Sequence, residues 1–350
     1  MNSISATLMP NYIVNSLLDN NRLYANKGYL EFIKYLMAQK QMCPLINSEI
    51  EAEFQRNASA GRNIYIKILR DLQITASNTF SYNIEVNGNT SAKQLVSVNT
   101  AFASFTHNPV EYAGNEIAEA EGFANQMGAA ETALAKAIHD NVLTFLGTKK
   151  TQTLDITSVM NTGITFGSSV LSASDAAQRD NLLSQISVIM NDNGLDDRGL
   201  IGLMSSGFRG VLNEYAKYGA NNDKNLQNQY GDIEAYISNT IRHSTKRFAG
   251  YLSRKGSHGA MFALPPVFQL QESLRRDGVT HFYQLDGQLP LLGNIPVGVL
   301  EISSPLDNGS NNLGLAKKIG LVVQWANVTN DILDRSTTAS DIVYIEGATS

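Results

Sequence analysis

The sequence predicts an α+β protein in which strands precede one long helix and a mixed region of helices and strands follows it. Three patterns carry this prediction. Hydrophobic residues alternate with a period of two between Gly61 and Phe105, alanine is abundant and proline absent between Glu116 and Leu146, and short apolar runs recur from Arg198 onward. With 350 residues, of which 43% are hydrophobic, the chain can build a large core shared by several lobes.

The first predicted element is a helical arm. From Asn11 to Met42 the apolar residues recur at helical spacing, with an interruption around Gly28. The pattern therefore predicts short helices rather than one continuous helix.

A long hairpin is predicted next. Ile64, Ile66 and Ile68 alternate with Tyr65 and Lys67, and a second alternating run covers 80–86. Asn87 and Gly88 stand between that run and one that holds Leu95, Val96 and Val98, and they predict the hairpin tip because both tolerate the positive φ of a two-residue turn. An isolated hairpin buries too little surface to be stable, so this one must lie on a lobe of its own subunit or on a neighbour.

One long helix is predicted from Glu116 to Leu146, spanning roughly 45 Å. Gly122 and Gly128 are possible kink sites, so two collinear helices are an alternative.

The remaining pattern predicts a mixed lobe. Ser174 or Asp175 is placed to cap a helix, and Ser205 or Ser206 to cap a second one that ends near Tyr218. The predicted elements are a helix at 175–190, a buried strand at 198–204, a helix to 218, an alternating stretch at 231–241, and final strands at 319–325 and 341–346.

Composition excludes several classes of protein. The formal charge of −5 argues against a protein whose whole surface binds nucleic acid. A local basic face is still compatible with this net charge. Cys43 is the single cysteine, so an intramolecular disulfide and a cysteine-rich zinc site are excluded. Met1 to Leu18 does not read as a secretory leader, and no run of about 20 apolar residues predicts a membrane span.

No catalytic, cofactor-binding or metal-binding residue is predicted. The five histidines are dispersed, and nucleotide-binding and nucleophile-elbow motifs are absent from the sequence. His139 and Asp140 are interpreted as a polar pair on a helix surface, because adjacent helical residues point about 100° apart. Cys43 is interpreted as a small buried residue.

The densest basic run consists of Arg242, Lys246, Arg247, Arg254 and Lys255, interleaved with aromatic residues. Three interpretations stay open: contact with nucleic-acid phosphates, pairing with acidic groups of a neighbouring subunit, or a solvated loop.

The order of these elements, together with four passages, resembles the Hong Kong 97-type major capsid proteins of tailed bacteriophages. The first two passages resemble the entry into and the end of the family's spine helix, and the last two resemble its helix, apolar strand and Ser-Asn ending. They are VNTAFASFTHNPVEYAGNEIAEAEG (98–122), AAETALAKAIHDNVLTFLG (129–147), NDNGLDDRGLIGLMSSGFRGVLNEYAKYG (191–219) and YGDIEAYISNTI (230–241). The stretch 242–310 departs from the family pattern and leaves the outer limits of its lobe open.

The resemblance implies five regions in chain order. They are an N-terminal arm (1–60), an extended hairpin loop (61–115), the spine helix of a peripheral domain (116–150), an axial domain (151–300) and C-terminal strands returning to the peripheral domain (301–350).

The resemblance also implies a function. The chain is expected to assemble with itself, as pentamers and hexamers, into an icosahedral shell around double-stranded DNA held without sequence specificity. Portal, scaffolding and decoration proteins are further expected partners, and the expected location is the virion, assembled in the host bacterial cytoplasm. Cleavage of the N-terminus, a fused scaffolding segment and a cross-link through Lys67 or Lys93 are not expected, and no cofactor, membrane or catalytic activity is implied.

Three alternatives stay open. An encapsulin-like nanocompartment shares the subunit architecture but holds enzyme cargo. A cytosolic enzyme with scattered carboxylates would form a small oligomer with a polar pocket. A tail-tube protein is the third alternative, and the long helix argues against it.

Overall fold

The computed structural model describes fourteen stretches of the chain, and every structural statement below concerns these residues. They are 27–58, 64–69, 91–108, 116–150, 164–167, 170–173, 185, 199–210, 233–241, 245–264, 281–285, 289–306, 314–329 and 342–347.

Two helices open the described chain. Helix α1 (Lys27–Met42) buries one face through Phe32, Tyr35 and Leu36. Helix α2 (Ser48–Ala58) begins after Asn47, whose side-chain Oδ1 accepts a hydrogen bond of 2.8 Å from the Ile50 N–H and so caps the helix. The predicted helical arm is confirmed from residue 27 onward as α1, which includes Gly28, where an interruption was predicted. The predicted arm before residue 27 lies outside the described residues, and α2 was not predicted.

Polar contacts fix α1 in the molecule. The Tyr35 hydroxyl lies 3.0 Å from His258 Nε2, and Gln39 donates to Ser253 Oγ (2.8 Å) and accepts from the Gly256 N–H (2.7 Å). All these side chains are buried, so each lost contact would leave a polar group without water.

A 34-residue helix, α3 (Glu116–Lys149), runs unbroken for about 50 Å. The predicted long helix is therefore confirmed, and the alternative of two collinear helices is wrong. Gly128 is accommodated within the helix, where its carbonyl accepts a hydrogen bond of 2.8 Å from Thr132 Oγ1.

The described residues form a two-stranded ribbon and two larger sheets. The strand bounds are β1 Ile64–Leu69, β2 Ser91–Val96, β3 Asn99–His107, β4 Ile164–Gly167, β5 Val170–Ala173, β6 Leu200–Ser205, β7 Ile233–Ser238, β8 Phe248–Arg254, β9 His258–Ala263, β10 His281–Leu285, β11 Val297–Leu306, β12 Gly314–Thr329 and β13 Ile342–Gly347.

The five-stranded sheet has the order β10-β11-β12-β3, with β9 also paired to β12, and all its pairings are antiparallel. The six-stranded sheet has the order β4-β5-β13-β8-β6-β7, with parallel pairings of β13 with β5 and of β6 with β7.

One apolar core joins α1, α3 and the inner face of the five-stranded sheet. Leu134 and Ile138 of α3 are fully buried there beside Leu321 and Val323 of β12. Ile201 and Ile342 bring the six-stranded sheet into the same cluster. No helix in the described stretches has the length and hydropathy needed to span a bilayer.

The strands predicted at 198–204, 231–241, 319–325 and 341–346 are confirmed as β6, β7, β12 and β13. Residues 207–210 are helical after Ser206, as predicted. The helix predicted at 175–190 lies outside the described residues except at Gln185, which is helical.

Two strands pair with strands of other predicted regions, and the limits of those regions stay a prediction. Strand β3 falls within the stretch assigned to the hairpin, yet it pairs with β12 in the five-stranded sheet. Strand β13 lies beyond residue 300, yet it pairs with β5 and β8 of the six-stranded sheet. Such pairings join distant parts of the chain and leave no local signal in the sequence.

Candidate assembly surface

The ribbon of β1 and β2 is the first part of the candidate surface. The two strands are antiparallel, with Ile64 opposite Val96, Tyr65 opposite Leu95 and Ile66 opposite Gln94. Residues that stand opposite each other share a face, and the face changes with each step along the strand. The ribbon therefore has two distinct faces.

The inner face of the ribbon rests on a small apolar cluster. Ile64, Ile66 and Val96 are buried against Phe54 of α2, and the remaining buried members of the cluster come from β9 and β12: Met261, Ala263, Ala326 and Val328. Phe54 is fully buried at this contact. A two-stranded ribbon is only marginally stable alone, so this cluster is what holds it in place.

The outer face of the ribbon carries apolar side chains in water. Tyr65 is 55% exposed and Leu95, directly opposite, is 51% exposed. Lys67 and Lys93 are register partners two positions further along the ribbon. The exposed Tyr65 and Leu95 side chains suit a partner that offers apolar contact.

A third exposed apolar side chain lies on β3. Phe102 is 59% exposed, and its ring covers Gly320 of the adjacent strand β12. A Cβ atom on Gly320 would lie 2.5 Å from Phe102 Cζ, so the ring occupies the space a side chain would need. In the part of the chain that the structure describes, the other exposed large hydrophobic residues are Met42 (60%), Tyr65 and Leu95. Tyr65 and Leu95 stand opposite each other, and exposed apolar residues that adjoin in this way mark interaction surfaces.

Antiparallel strands are confirmed in this region as β1 and β2, which pair with each other. The hairpin predicted between 80–86 and the run that holds Leu95, Val96 and Val98 stays a prediction. The predicted tip at Asn87 and Gly88, and the strand predicted at 80–86, lie outside the described residues.

Two of the predicted basic residues form ion pairs within the chain. Lys246 Nζ lies 3.3 Å from Glu346 Oε1, and Lys255 Nζ lies 2.9 Å from Glu234 Oε2. Hydrogen bonds from Tyr236 and Lys255 hold the pKa of Glu234 below its ordinary value.

The structure describes two of the other three basic residues. Arg254 ends β8, where it stands opposite Leu200. The Arg247 carbonyl approaches Gly207 so closely that a Cβ there would lie 2.0 Å from it. Arg242 lies outside the described residues.

His139 is buried, which corrects its interpretation as half of a surface pair. Its Nδ1 lies 2.9 Å from Asp140 Oδ1 and its Nε2 lies 2.8 Å from Thr240 Oγ1. The rings of Tyr29 and Phe32 pack edge-on against the imidazole. The arrangement joins α1, α3 and the end of β7 through contacts inside the molecule.

Other candidate chemistry is equally sparse. Cys43 is buried, as predicted, and burial raises the pKa of its thiol above the ordinary value. In the stretches that the structure describes, no group of three or more histidine, cysteine, aspartate or glutamate side chains is arranged to hold a metal ion.

The sequence interpretation missed the significance of Tyr65 and Phe102. Tyr65 alternates with buried isoleucines, so the sequence pattern alone could have indicated that this aromatic side chain lies on the exposed face of its strand. Phe102 gave no such signal, because its exposure depends on the pairing of β3 with the distant strand β12.

No protein-family model and no curated protein sequence matches the chain. The chain is similar to a solved structure from Mycobacterium phage Che8, with a TM-score of 0.47 and 10% identity over 86% of this chain and 89% of that chain. It is similar to the capsid structure of the Cyanophage P-SCSP1u, with a TM-score of 0.47 and 12% identity over 82% and 84%. It is also similar to the asymmetric unit of the bacteriophage PhiM1 mature capsid, with a TM-score of 0.43 and 9% identity over 82% of each chain.

Proposed function

We propose that the protein is a major capsid protein, with a structural rather than a catalytic role. Its copies would assemble as pentamers and hexamers into an icosahedral shell that encloses double-stranded DNA. The observation that carries the proposal is the ribbon, which is anchored by one face and presents Tyr65 and Leu95 to solvent on the other.

The proposal gains support from the order of elements in the structure. An arm helix, an antiparallel ribbon, a 34-residue helix and the strands of two larger sheets occur in the order that the family resemblance implies. In that family the hairpin overlies a neighbouring subunit, which would supply the partner for Tyr65 and Leu95. Each contact is modest, since apolar burial contributes about 25 cal/mol per Å², but every subunit would engage several neighbours at once.

The DNA would be enclosed rather than tightly bound. The net charge is −5, and Lys246 and Lys255 are paired with carboxylates of their own chain. This supports contact with DNA that is weak and independent of sequence. Portal, scaffolding and decoration proteins remain proposed partners, and the proposed location is the virion, assembled in the host bacterial cytoplasm.

The first experiment is electron microscopy and light scattering of the full chain expressed alone and with candidate scaffolding proteins from the same genome. Closed shells that contain or package DNA are the expected result. Shells that contain enzyme cargo and no nucleic acid would favour the encapsulin-like alternative. A uniform monomer or small oligomer under every condition would contradict the proposal.

Point variants test the ribbon itself. We expect the double variant Tyr65→Ser with Leu95→Ser to remain folded, because both side chains are exposed, and to lose most shell formation. Tyr65→Phe keeps the ring and Met42→Ser removes an exposed apolar side chain outside the ribbon, so both controls should assemble normally. Normal shells from the double variant would remove the ribbon from the proposed interface.

A further inference from the structure

Glu131 is a buried carboxyl group in the middle of the long helix. It is 2% exposed and lies within the apolar core of the molecule. A carboxylate in such surroundings needs strong compensating contacts, because burial disfavours its charged form.

The contacts of Glu131 come from one short turn far away in sequence. Glu131 Oε1 accepts hydrogen bonds from the backbone N–H of Leu291 (2.7 Å) and of Leu292 (3.0 Å). The turn covers 289–295 and is closed by its own hydrogen bonds, from the Gly293 N–H to the Leu289 carbonyl (2.8 Å) and from the Ile295 N–H to the Leu292 carbonyl (3.2 Å). The turn is therefore a compact unit with hydrogen bonds of its own.

The turn joins the long helix to the core by apolar side chains as well. Leu289, Leu291, Leu292 and Ile295 are all buried, whereas Asn294 at its outer end is exposed. The sequence of the turn contains no titratable residue. Its attachment to α3 thus combines leucine packing with one carboxyl group.

The described elements with titratable groups that pack near α3 are α1, β3, β9 and β12, and most of these groups have partners of their own. The pairs are Lys34 with Glu31 (2.9 Å), Lys40 with Glu51 (2.6 Å), His107 with Glu119 (3.4 Å), Lys317 with Glu301 (3.0 Å), Tyr35 with His258 (3.0 Å) and, on α3 itself, His139 with Asp140 (2.9 Å). Lys27 of α1 and Lys318 of β12 are exposed to solvent. Tyr29, also on α1, packs edge-on against the His139 ring. Burial is the main influence on Glu131, and the N–H groups of Leu292 and Leu291 oppose it.

We propose that the Glu131 carboxyl group is a proton-linked latch for the turn 289–295. The neutral carboxyl holds the turn closed on the long helix, and loss of the proton favours a state in which the turn lifts and water reaches the carboxylate. This inference concerns the subunit itself and does not depend on the proposed shell.

The direction of the pH effect follows from the two states of the group. Burial raises the pKa of Glu131 from the ordinary 4.5 to about 7 in the closed state, and exposure to water in the open state would return it towards the ordinary value. The closed state thus binds the proton more tightly. Closure is most favoured below the lower pKa and is progressively lost as the pH rises towards the higher one.

Hydrogen exchange on the full-length, unassembled chain tests the latch. The exchange of the Leu291 and Leu292 amides would be measured from pH 5 to 9 and corrected for the intrinsic exchange rate. We expect the opening constant to rise by up to about tenfold per pH unit between pH 5 and 7 and to level off above it.

Two variants and one reference amide sharpen the test. Glu131→Gln keeps a carbonyl acceptor without a titrating proton and should abolish the pH dependence, whereas Glu121→Gln at an exposed position of the same helix should behave as wild type. The Leu321 amide, inside β12, should not follow the profile of the turn. A flat wild-type profile, an unchanged slope in Glu131→Gln, or the same slope at Leu321 would each overturn the proposal.

Discussion

Asn141 Oδ1 accepts the indole N–H of Trp325 at 2.9 Å, and through this contact the long helix is tied to the central strand β12. The same oxygen accepts from Asn327 Nδ2 at 2.9 Å, and Asn141 Nδ2 donates to Asn99 Oδ1 of β3 at 3.2 Å. One amide side chain thus serves three polar partners on two adjacent strands.

Asn141→Leu should lower the free energy of unfolding by about 3 kcal/mol, because it leaves the indole N–H and two amides without their partner. Urea denaturation followed by the fluorescence of Trp325, the single tryptophan, measures the loss directly. The matched change Lys136→Leu, at an exposed position of the same helix, should stay within about 0.5 kcal/mol of wild type. Equal stability of the two variants would show that the Asn141 contacts contribute nothing.

Gly256→Ala should cost about 3 kcal/mol or more. Gly256 has φ of +77°, and a Cβ there would lie 2.1 Å from the Met42 carbonyl oxygen, so both backbone strain and a backbone clash oppose the change. Gly293→Ala is the control, because Gly293 has φ of +57° and open space around it. That variant should lose only about 1 kcal/mol. If both variants lost the same free energy of unfolding in urea denaturation, the Met42 carbonyl would not restrict the side chain at position 256.

His258 and Glu131 should tilt the pH dependence of stability in opposite directions. Burial lowers the pKa of His258 from its ordinary value of 6.5 to about 3, so below pH 6.5 the unfolded state binds a proton that the folded state does not. The contribution of neutral His258 to folding stability is therefore complete above pH 6.5 and is lost as the pH falls towards the folded-state pKa. The raised pKa of Glu131 gives a contribution that is lost as the pH rises from 4.5 to about 7.

The two slopes are measurable as differences from wild type between pH 5 and 6.5. Relative to wild type, His258→Gln should lose stability with rising pH and Glu131→Gln should gain it, each by up to about 1.4 kcal/mol per pH unit. Urea midpoints at four pH values are sufficient. Curves that run parallel to wild type would contradict both assignments.

Phe54→Ala should separate attachment of the ribbon from exposure of its outer face. Phe54 is fully buried beneath Ile64 and Ile66, so its truncation should cost about 3–5 kcal/mol and increase hydrogen exchange in β1 and β2. Tyr65→Ala, on the exposed face, should cost less than about 1 kcal/mol. If Phe54→Ala left exchange in the ribbon unchanged, α2 would not be its anchor.

Local patterns in the sequence predicted the elements that local chemistry determines. The long helix begins at Glu116 as expected, because proline is absent and alanine abundant up to its last turns. Helix α2 was missed because its short sequence is mostly charged and polar, with Ile50 and Phe54 as its main apolar contacts. The small apolar face of α2 is recognisable as a packing surface only when the ribbon that covers it is known.

The candidate surface was predicted only in part. The alternation of hydrophobic and polar residues located β1. The need for a second surface under the hairpin followed from the small area that an isolated hairpin buries. The pairing of β3 with β12, which sets the exposure of Phe102, joins segments roughly 200 residues apart and has no sequence signal of its own. The role of the basic run stays a prediction; within it, Lys246 pairs with Glu346 and Lys255 pairs with Glu234.

The pairing of β3 with β12 also sets an order of events during synthesis. His107 stands opposite Lys317, so β3 leaves the ribosome long before its partner exists. At about 5–20 residues per second, roughly 200 residues take on the order of 10 to 40 s to translate. Throughout that interval the long helix and β3 present an apolar face with no sheet to cover it. The nascent chain is therefore a natural client for chaperones until its last hundred residues emerge.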